Sequence, residues 1–262
     1  MTIDTKPYIV YGLALEKGQN INVGPYAWKT EVDLGTLGVP YKLEGRIYDD
    51  IRGSFETETG NPKVTVPTLK TEDGYVTDSW AIAEWAEAKY GTPERSLFGG
   101  NEEGKAFARF LNIWADNDLG DQVKILFAPW LYQAQKAAGD DASAAWFLKT
   151  KLGGSQEAIN GLIKASQDPT WVDNQAQVVR DKLQTIEKQL AANKEAGKGK
   201  FLAGTDYPTH GDAAVFGWYA ASAAVRGYDL LEKIWNHESL PLVSAWVKDV
   251  ADVSGAKVAY PY

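Results

Sequence analysis

The stretch Val64–Trp85 reads VTVPTLKTEDGYVTDSWAIAEW, and its order of signals restricts the fold more than any other part of the chain. The β-branched run Val64–Leu69 predicts a strand that contains Pro67. A proline has no amide hydrogen, so it marks an edge, a bulge or a cis turn. The turn residues that follow predict a hairpin to a second strand over Tyr75–Thr77. The pair Asp78-Ser79 then predicts the N-terminal cap of a helix.

The proline and the helix start together predict a binding surface. Because Pro67 interrupts strand pairing, we expect the backbone N–H and C=O of Val66 to be free to pair with an extended peptide. The helix that begins at Asp78-Ser79 presents unpaired N–H groups and a positive dipole end, which bind a carboxylate. The sequence therefore predicts a peptide-pairing edge beside an anion site.

The composition excludes several classes of function. The 262 residues include no cysteine, so disulfide exchange with the protein, thiolate metal sites and a nucleophilic protein thiol are ruled out. The net charge of −8 argues against a nucleic-acid or anionic-membrane partner. The two histidines lack the spacing of metal ligands, so we expect no metal. With no apolar leader and no apolar run long enough to span a bilayer, we expect a soluble, cytoplasmic protein.

Local patterns predict a mixed α/β arrangement at the beginning of the chain. Besides the hairpin, strands are predicted over Pro7–Tyr11 and Tyr41–Tyr48. Pro25 suits the first position of a helix, which should end near Gly35–Gly38. The predicted order is strand, helix, strand, short helix, hairpin and helix.

Past the glycine-rich connector Leu97–Asn101, strand signals stop and helical periodicity continues. The segment Ala191–Lys200 is small and charged and is predicted to be a loop. Thr209–Asp212 has the spacing of a capping box before an almost wholly apolar helix, which belongs in a core. We therefore predict two domains, residues 1–95 and residues 102–262.

Taken together, these motifs resemble the glutathione transferases along the whole chain. The resemblance rests on Val66-Pro67, Asp78-Ser79, Phe201–Gly204 and the Thr209–Asp212 box. More narrowly, Pro25–Thr30 resembles the Ser-Pro-x-x-Trp-Lys-Thr segment of the bacterial β-etherases and the fungal etherase-like and FuA-type transferases. The resemblance implies a thioredoxin-like N-terminal domain that binds glutathione as co-substrate, an all-helical C-terminal domain that lines the second-substrate pocket, and a homodimer.

The resemblance also assigns roles to individual residues. The Val66 backbone would pair with the cysteinyl unit of glutathione, while Ser79 and Asp78 would meet the carboxylate and ammonium of its γ-glutamyl unit. Lys63, Arg52 and Thr65 lie where the glycine carboxylate of glutathione could be met, although a lysine or arginine beside a loop is more often only solvated. The expected glutathione-binding residues are Val66, Pro67, Asp78, Ser79, Lys63 and Trp28.

Gly24 stands where the family pattern has its catalytic serine. A free thiol with a pKa near 8.5 is only about 3% ionised at pH 7, and the serine hydroxyl favours the thiolate. The backbone N–H groups at the helix start, the Asn22 amide and the Tyr26 hydroxyl are alternative donors, and the sequence does not rank them. The expected catalytic residues are Gly24, Tyr26 and Asn22, although Gly24 is equally explained as a loop glycine chosen for its backbone angles.

These observations predict a transferase that presents glutathione thiolate to a hydrophobic, aromatic electrophile, by conjugation or aryl ether cleavage. The alternative is a ligandin-like protein that binds glutathione and hydrophobic molecules with little catalysis, which Gly24 favours. A third, a scaffold that keeps the fold for dimerisation alone, is disfavoured by the intact Val66-Pro67 and Asp78-Ser79 motifs. Aromatic residues at helical spacing more often belong to the core than to a pocket; the candidates for the second-substrate pocket are Phe110, Trp114, Trp130 and Trp218.

Overall fold

The computed structural model describes residues 6–258, which begin with a four-stranded mixed sheet. The strands are β1 (Tyr8–Leu13), β2 (Tyr41–Arg46), β3 (Thr68–Thr71) and β4 (Gly74–Thr77). They lie in the order β2-β1-β3-β4, with β1 parallel to β2 and antiparallel to β3, and β3 antiparallel to β4. This is the thioredoxin-like arrangement that was expected.

Four helices accompany the sheet: α1 (Pro25–Leu37), α2 (Tyr48–Ile51), α3 (Ser54–Thr59) and α4 (Ser79–Tyr90). Pro25 occupies the first position of α1, where its missing N–H costs nothing. Gly38 ends the helix in the left-handed conformation, with φ of 72°, and its N–H donates to the carbonyl of Gly35. The predicted start and end of α1 are therefore confirmed.

The predicted strand over Val64–Leu69 is wrong in its first four residues, because β3 begins only at Thr68. Its ladder with β1 starts at the Tyr11 and Thr68 pair, directly after the proline that cannot donate. The peptide bond between Val66 and Pro67 is cis. β3 lies between two other strands, so Pro67 precedes an inner strand and does not mark a lateral edge.

The rest of the described chain is helical. Its helices are α5 (Glu102–Trp114), α6 (Gly120–Ala137), α7 (Asp141–Lys151), α8 (Gln156–Ala165), α9 (Pro169–Glu195), α10 (His210–Ala224) and α11 (Pro241–Ser254). Short π-helical turns occupy Ala115–Leu119 and Leu231–Trp235. No helix within residues 6–258 has the length and apolar character needed to cross a membrane.

The predicted loop over Ala191–Lys200 is wrong in its first half, since α9 continues through Glu195. The buried Asn193 donates from its side-chain amide to the carbonyls of Phe201 and Leu202, and so ties the last turn of the helix to the following loop. The sheet-bearing part ends with α4 and the helical part begins with α5. The exact domain limits stay a prediction, and their outer ends at 1–5 and 259–262 lie outside the described residues.

Helix α10 forms the centre of the helical part and supports the start of α1. The Thr209–Asp212 capping box is confirmed, with the carboxylate of Asp212 accepting from the backbone N–H of Thr209 at 2.9 Å. α10 is buried on nearly every side and packs along α1. At Gly217 the two helices approach so closely that a Cβ atom would lie 2.3 Å from the carbonyl oxygen of Pro25. The glycine thus lets α10 fix the position of the first residue of α1.

A buried polar network joins the two parts on the same side. Lys29 donates to both carboxylate oxygens of Asp116 at 2.6 and 2.7 Å and to Asn112 Oδ1 at 2.8 Å. The ring nitrogens of His210 lie 3.2 Å from Asn112 Oδ1 and 2.7 Å from Asp33 Oδ2. Burial lowers the pKa of Lys29, and the charge of Asp116 opposes this. The network therefore fixes α1 to α5 and α10 by hydrogen bonds as well as by apolar packing.

Candidate active site

A cleft of about 750 Å³ opens between the sheet-bearing part and the helical part. This volume is typical of pockets that bind small organic molecules. The cleft brings together most of the residues that the sequence singled out: Asn22, Gly24, Tyr26, Val66, Pro67, Asp78 and Ser79.

The first feature of the cleft is the peptide unit before Pro67. The hydroxyl of Thr68 donates to the carbonyl of Thr65 at 2.7 Å, and the carbonyl of Pro67 accepts from the N–H of Asp78 at 3.1 Å. Val66 lies between these paired groups, and its own N–H and C=O make no hydrogen bond within residues 6–258. The expected free peptide is therefore present, although it precedes the strand rather than belonging to it.

The second feature is the start of α4. Asp78, with φ of 87°, caps the helix, and its Oδ1 accepts from the N–H groups of Trp80 at 3.0 Å and Ala81 at 3.2 Å. The expectation of several unpaired N–H groups is thus wrong, because the cap occupies two of them. In the described chain the N–H and hydroxyl of Ser79 make no hydrogen bond, and Ser79 is buried in the cleft wall. Among the first N–H groups of α4, those of Trp80, Ala81 and Ile82 have partners, so the N–H of Ser79 is the one left for a ligand in the described residues.

The third feature is the start of α1. Gly24 is the N-cap residue, with φ of −88° and ψ of 139°, an extended conformation that any residue adopts. The explanation of Gly24 by special backbone angles is therefore wrong. No side-chain cap covers the helix start in the described chain, so the N–H groups of Tyr26 and Ala27 have no intrahelical or capping partner. Both residues line the cleft.

Asn22 organises the loop before α1. Its Oδ1 accepts from the N–H of Gly24 at 2.9 Å and of Leu13 at 3.3 Å. Its Nδ2 donates to Glu31 Oε1 at 3.1 Å, and Glu31 Oε2 accepts from the Tyr41 hydroxyl at 3.2 Å. Burial raises the pKa of Glu31 to about 7, against the opposing effect of its two hydrogen bonds. The Asn22 amide is thus engaged in shaping the loop, which makes it a positioning group.

Tyr26 places a hydroxyl in the cleft. Its ring packs edge-on against Trp218, with centroids 5.9 Å apart, and Lys29 Nζ lies 5.3 Å from its centroid. Tyr26 lines the cleft, and its hydroxyl makes no hydrogen bond within the described residues. Burial, followed by the charges of Asp116 and Asp121, raises the pKa of Tyr26 above its ordinary range. The group therefore stays protonated at neutral pH and is able to donate.

Comparison with known proteins agrees with this geometry. Residues 23–89 match the family model described as the N-terminal domain of glutathione S-transferase. The fold is similar to that of glutathione transferase GSTFuA3 from Phanerochaete chrysosporium, with a TM-score of 0.72 and 21% identity over 95% of this chain and 97% of that one. The chain has the fold of a glutathione transferase.

Two further structures extend the comparison. The glutathione S-transferase CsGST63524 of Ceriporiopsis subvermispora, solved in complex with glutathione, has a TM-score of 0.71 and 19% identity, covering 98% of this chain and 100% of that one. A glutathione S-transferase from Rhodospirillum rubrum has a TM-score of 0.56 and 21% identity, covering 96% and 89% of the two chains. The similarity therefore extends over both parts of the transferase fold.

Two predicted site residues lie elsewhere in this transferase fold. Trp28 is buried beside the cleft, where its Nε1 donates to the carbonyl of Asn22 at 3.1 Å and its ring packs against Phe216. Lys63 is exposed, and its backbone N–H donates to Asn61 Oδ1. Neither side chain lines the cleft. Trp28 instead supports the loop that carries Asn22.

The sequence did not reveal the far wall of the cleft. There the ring of Tyr48, from α2, stacks on Trp146 of α7 with centroids 4.5 Å apart and an interplanar angle of 30°. Among the four aromatic residues proposed from periodicity, Trp218 lines the cleft, whereas Phe110 is 60% exposed on the outer face of α5. Trp114 and Trp130 pack against the core. The only indication in the sequence was the adjacent pair Trp146 and Phe147. Apolar residues in α7 are not concentrated on one face, so the pattern does not show which way these two side chains point.

Proposed function

We propose that this protein is a glutathione transferase that presents the glutathione thiolate to a hydrophobic, aromatic electrophile. The observation that carries the proposal is one cleft that combines the unpaired peptide of Val66, the N–H and hydroxyl of Ser79, and the open start of α1. The family match over residues 23–89 and the similarity to a transferase solved with glutathione support it.

Glutathione is an extended tripeptide with charged ends, and each element of the cleft suits one part of it. The N–H and C=O of Val66 would pair with the cysteinyl unit in the manner of an added strand. The N–H and hydroxyl of Ser79 would donate to the γ-glutamyl carboxylate, while the exposed carboxylate of Asp78 would accept from the ammonium group. This placement would direct the sulfur towards the start of α1.

The start of α1 would then stabilise the thiolate. A helix N-terminus contributes roughly 0.3 to 1 kcal/mol to a nearby anion, and up to about 2 kcal/mol when partly buried. The upper figure corresponds to a fall of about 1.5 units in the thiol pKa. The Tyr26 hydroxyl is a further donor within the same cleft. The thiolate would attack the electrophilic carbon, the carbon–sulfur bond would form, and the leaving group would depart with its electron pair.

Calorimetric titration with glutathione, together with a conjugation assay on chlorodinitrobenzene, tests the proposal. Asp78→Asn keeps the helix cap but removes the charge, so we expect about tenfold weaker glutathione binding. Asp73→Asn, in the exposed hairpin turn, is the matched control and should bind as the parent does. Absence of binding by the parent at millimolar glutathione would refute the proposal.

A ligandin-like role is the second candidate, and Gly24 is the observation that favours it. Such a protein would bind glutathione and a hydrophobic ligand together but would turn over no electrophile. Measured binding of both ligands without detectable conjugation would establish this role in place of the transferase.

We also propose a homodimer. Phe110 is 60% and Ile113 51% exposed on the same helix, which leaves apolar surface uncovered. Light scattering should give twice the chain mass for the parent and the monomer mass for Phe110→Glu. Val178→Glu, at another partly exposed apolar position, should leave the mass unchanged. A monomeric parent would exclude the dimer.

A further inference from the structure

The far wall of the cleft combines an aromatic surface with positive charge. Trp146 stacks on Tyr48, and two cations lie over the same indole ring. The Arg52 guanidinium carbon is 5.9 Å and Lys151 Nζ 5.8 Å from the Trp146 centroid. All four residues line the cleft, so one aromatic surface is flanked by two positive groups.

These two cations are incompletely neutralised by the protein. Arg52 pairs with Glu56 at 3.1 Å, yet its buried Nε has no hydrogen-bond partner within the described residues. Lys151 has no carboxylate within 4.0 Å in that part of the chain. Lys151 is an exposed residue overall, but desolvation of its ammonium group lowers its pKa, and the charges of Lys124 and Arg52 lower it further. Lys151 therefore lies close enough to Arg52 for their charges to repel, and it has no carboxylate partner of its own in the described residues.

Two of the three carboxylates that line the cleft, those of Asp116 and Asp121, have ion-pair partners of their own, and the third, Asp78, caps α4. Asp116 accepts from the buried Lys29, and Asp121 pairs with Lys124 at 2.9 Å. In a chain with a net charge of −8, the cleft thus contains a lysine, Lys151, that has no ion-pair partner in the described residues. A bound anion would relieve the repulsion between Arg52 and Lys151 and complete their hydrogen bonding.

We propose that the second substrate is an aromatic anion, whose ring stacks beside Tyr48 and Trp146 and whose carboxylate or sulfonate group binds between Arg52 and Lys151. This inference rests on the proposed transferase function and specifies the substrate class of the same cleft. Guanidinium and ammonium groups donate to such oxyanions, and the ring-stacking surface selects for aromatic rings. A neutral aromatic electrophile would satisfy the stacking surface but leave Lys151 without an anion and Arg52 Nε without an acceptor.

Two matched electrophiles test the proposal. Chloronitrobenzoate, with chlorine para to the carboxylate and the nitro group next to chlorine, is compared with the corresponding neutral chloronitrobenzamide. In both, the thiolate attacks the carbon that carries chlorine, a carbon–sulfur bond forms, chloride leaves with its electron pair, and the thiol proton passes to water. We expect a KM about tenfold lower for the benzoate than for the amide, a difference of about 1.4 kcal/mol.

Variants assign the effect to residues. Lys151→Met should raise the KM for the benzoate about tenfold and leave the KM for the amide unchanged. Lys151→Arg should restore the parent value. Lys149→Met, on the exposed side of the same helix and outside the cleft, is the control and should change neither KM.

The outcomes separate this inference from the function on which it rests. Absence of glutathione binding by the parent would refute the transferase itself. Parent conjugation of the amide and the benzoate with equal KM would refute only the anionic substrate. Weaker glutathione binding by Lys151→Met, with an unchanged KM for the benzoate, would assign the cations to the glycine carboxylate of glutathione and likewise overturn the inference.

Discussion

Replacing Gly24 by serine should increase activity, and the structure makes the substitution feasible. The extended backbone at Gly24 accepts any residue. A Cβ atom there would lie 3.2 Å from Leu13 Cβ and 3.5 Å from Asn22 Oδ1, so Leu13 must shift by only a few tenths of an ångström. The new hydroxyl would stand at the N-cap of α1, beside the N–H groups of Tyr26 and Ala27.

The size of the gain follows from one hydrogen bond to a charged acceptor. Such a bond contributes roughly 1.5 to 3 kcal/mol, which lowers the pKa of the bound thiol by about one to two units. Below the thiol pKa, each unit raises the thiolate fraction tenfold but lowers its nucleophilicity by about threefold. We therefore expect kcat/KM at mildly acidic pH to rise about three- to tenfold over the parent.

Gly24→Ala is the matched control, because it adds the same Cβ without the hydroxyl. The assay is the thiolate absorbance of bound glutathione across a pH series, alongside kcat/KM for chlorodinitrobenzene. Serine should lower the thiol pKa relative to alanine, while alanine should resemble the parent. Equal thiol pKa values in the serine and alanine variants would refute the reasoning and show that existing donors at the helix start already saturate the sulfur.

Three further predictions concern groups around the same helix start and its support. Glu31 has a pKa of about 7 against an ordinary 4.5, so its contribution to stability is complete below pH 4.5 and lost as pH rises through 7. Urea unfolding should show the free energy of unfolding of the parent falling by roughly 3 kcal/mol relative to Glu31→Gln over that range, and a constant difference would contradict it. Asp212→Asn would place an amide NH₂ group next to N–H groups that now donate to the carboxylate, and should lower the free energy of unfolding by roughly 3 kcal/mol. Asp206→Asn, at an exposed site, is the control and should leave it unchanged. Tyr26→Phe should lower kcat/KM about threefold and raise the thiol pKa if its hydroxyl donates to the sulfur, and an unchanged pH profile would exclude that donor.

Local signals in the sequence predicted the parts of the site that depend on local chemistry. The cap at Asp78, the capping box at Thr209–Asp212 and the ends of α1 each follow from the hydrogen-bonding needs of a helix terminus. The unpaired peptide of Val66 follows from the proline after it. These features needed no knowledge of distant contacts.

The remaining features depend on contacts between different elements, which the pattern within one element does not indicate. The strand after Pro67 starts late because its partner β1 is reached only at Thr68. The last turn of α9 persists because Asn193 bonds to a later loop. The aromatic and cationic wall requires α2 and α7 to meet, and no periodicity within either helix indicates that meeting. The engagement of the Asn22 amide likewise depends on how Leu13 of β1 and Glu31 of α1 are placed around it.

The close contact between Gly217 and the carbonyl of Pro25 has a consequence for exchanging parts between relatives. The helix end that would polarise the sulfur rests directly on the helical half of the molecule, with no side chain between them to absorb a misfit. In a chimaera that combined this sheet with the helices of another transferase, a larger residue at position 217 would push the start of α1 away from its present position. A change in the reactivity of such a hybrid would then originate at the contact between α1 and α10, even if every residue around the sulfur were retained.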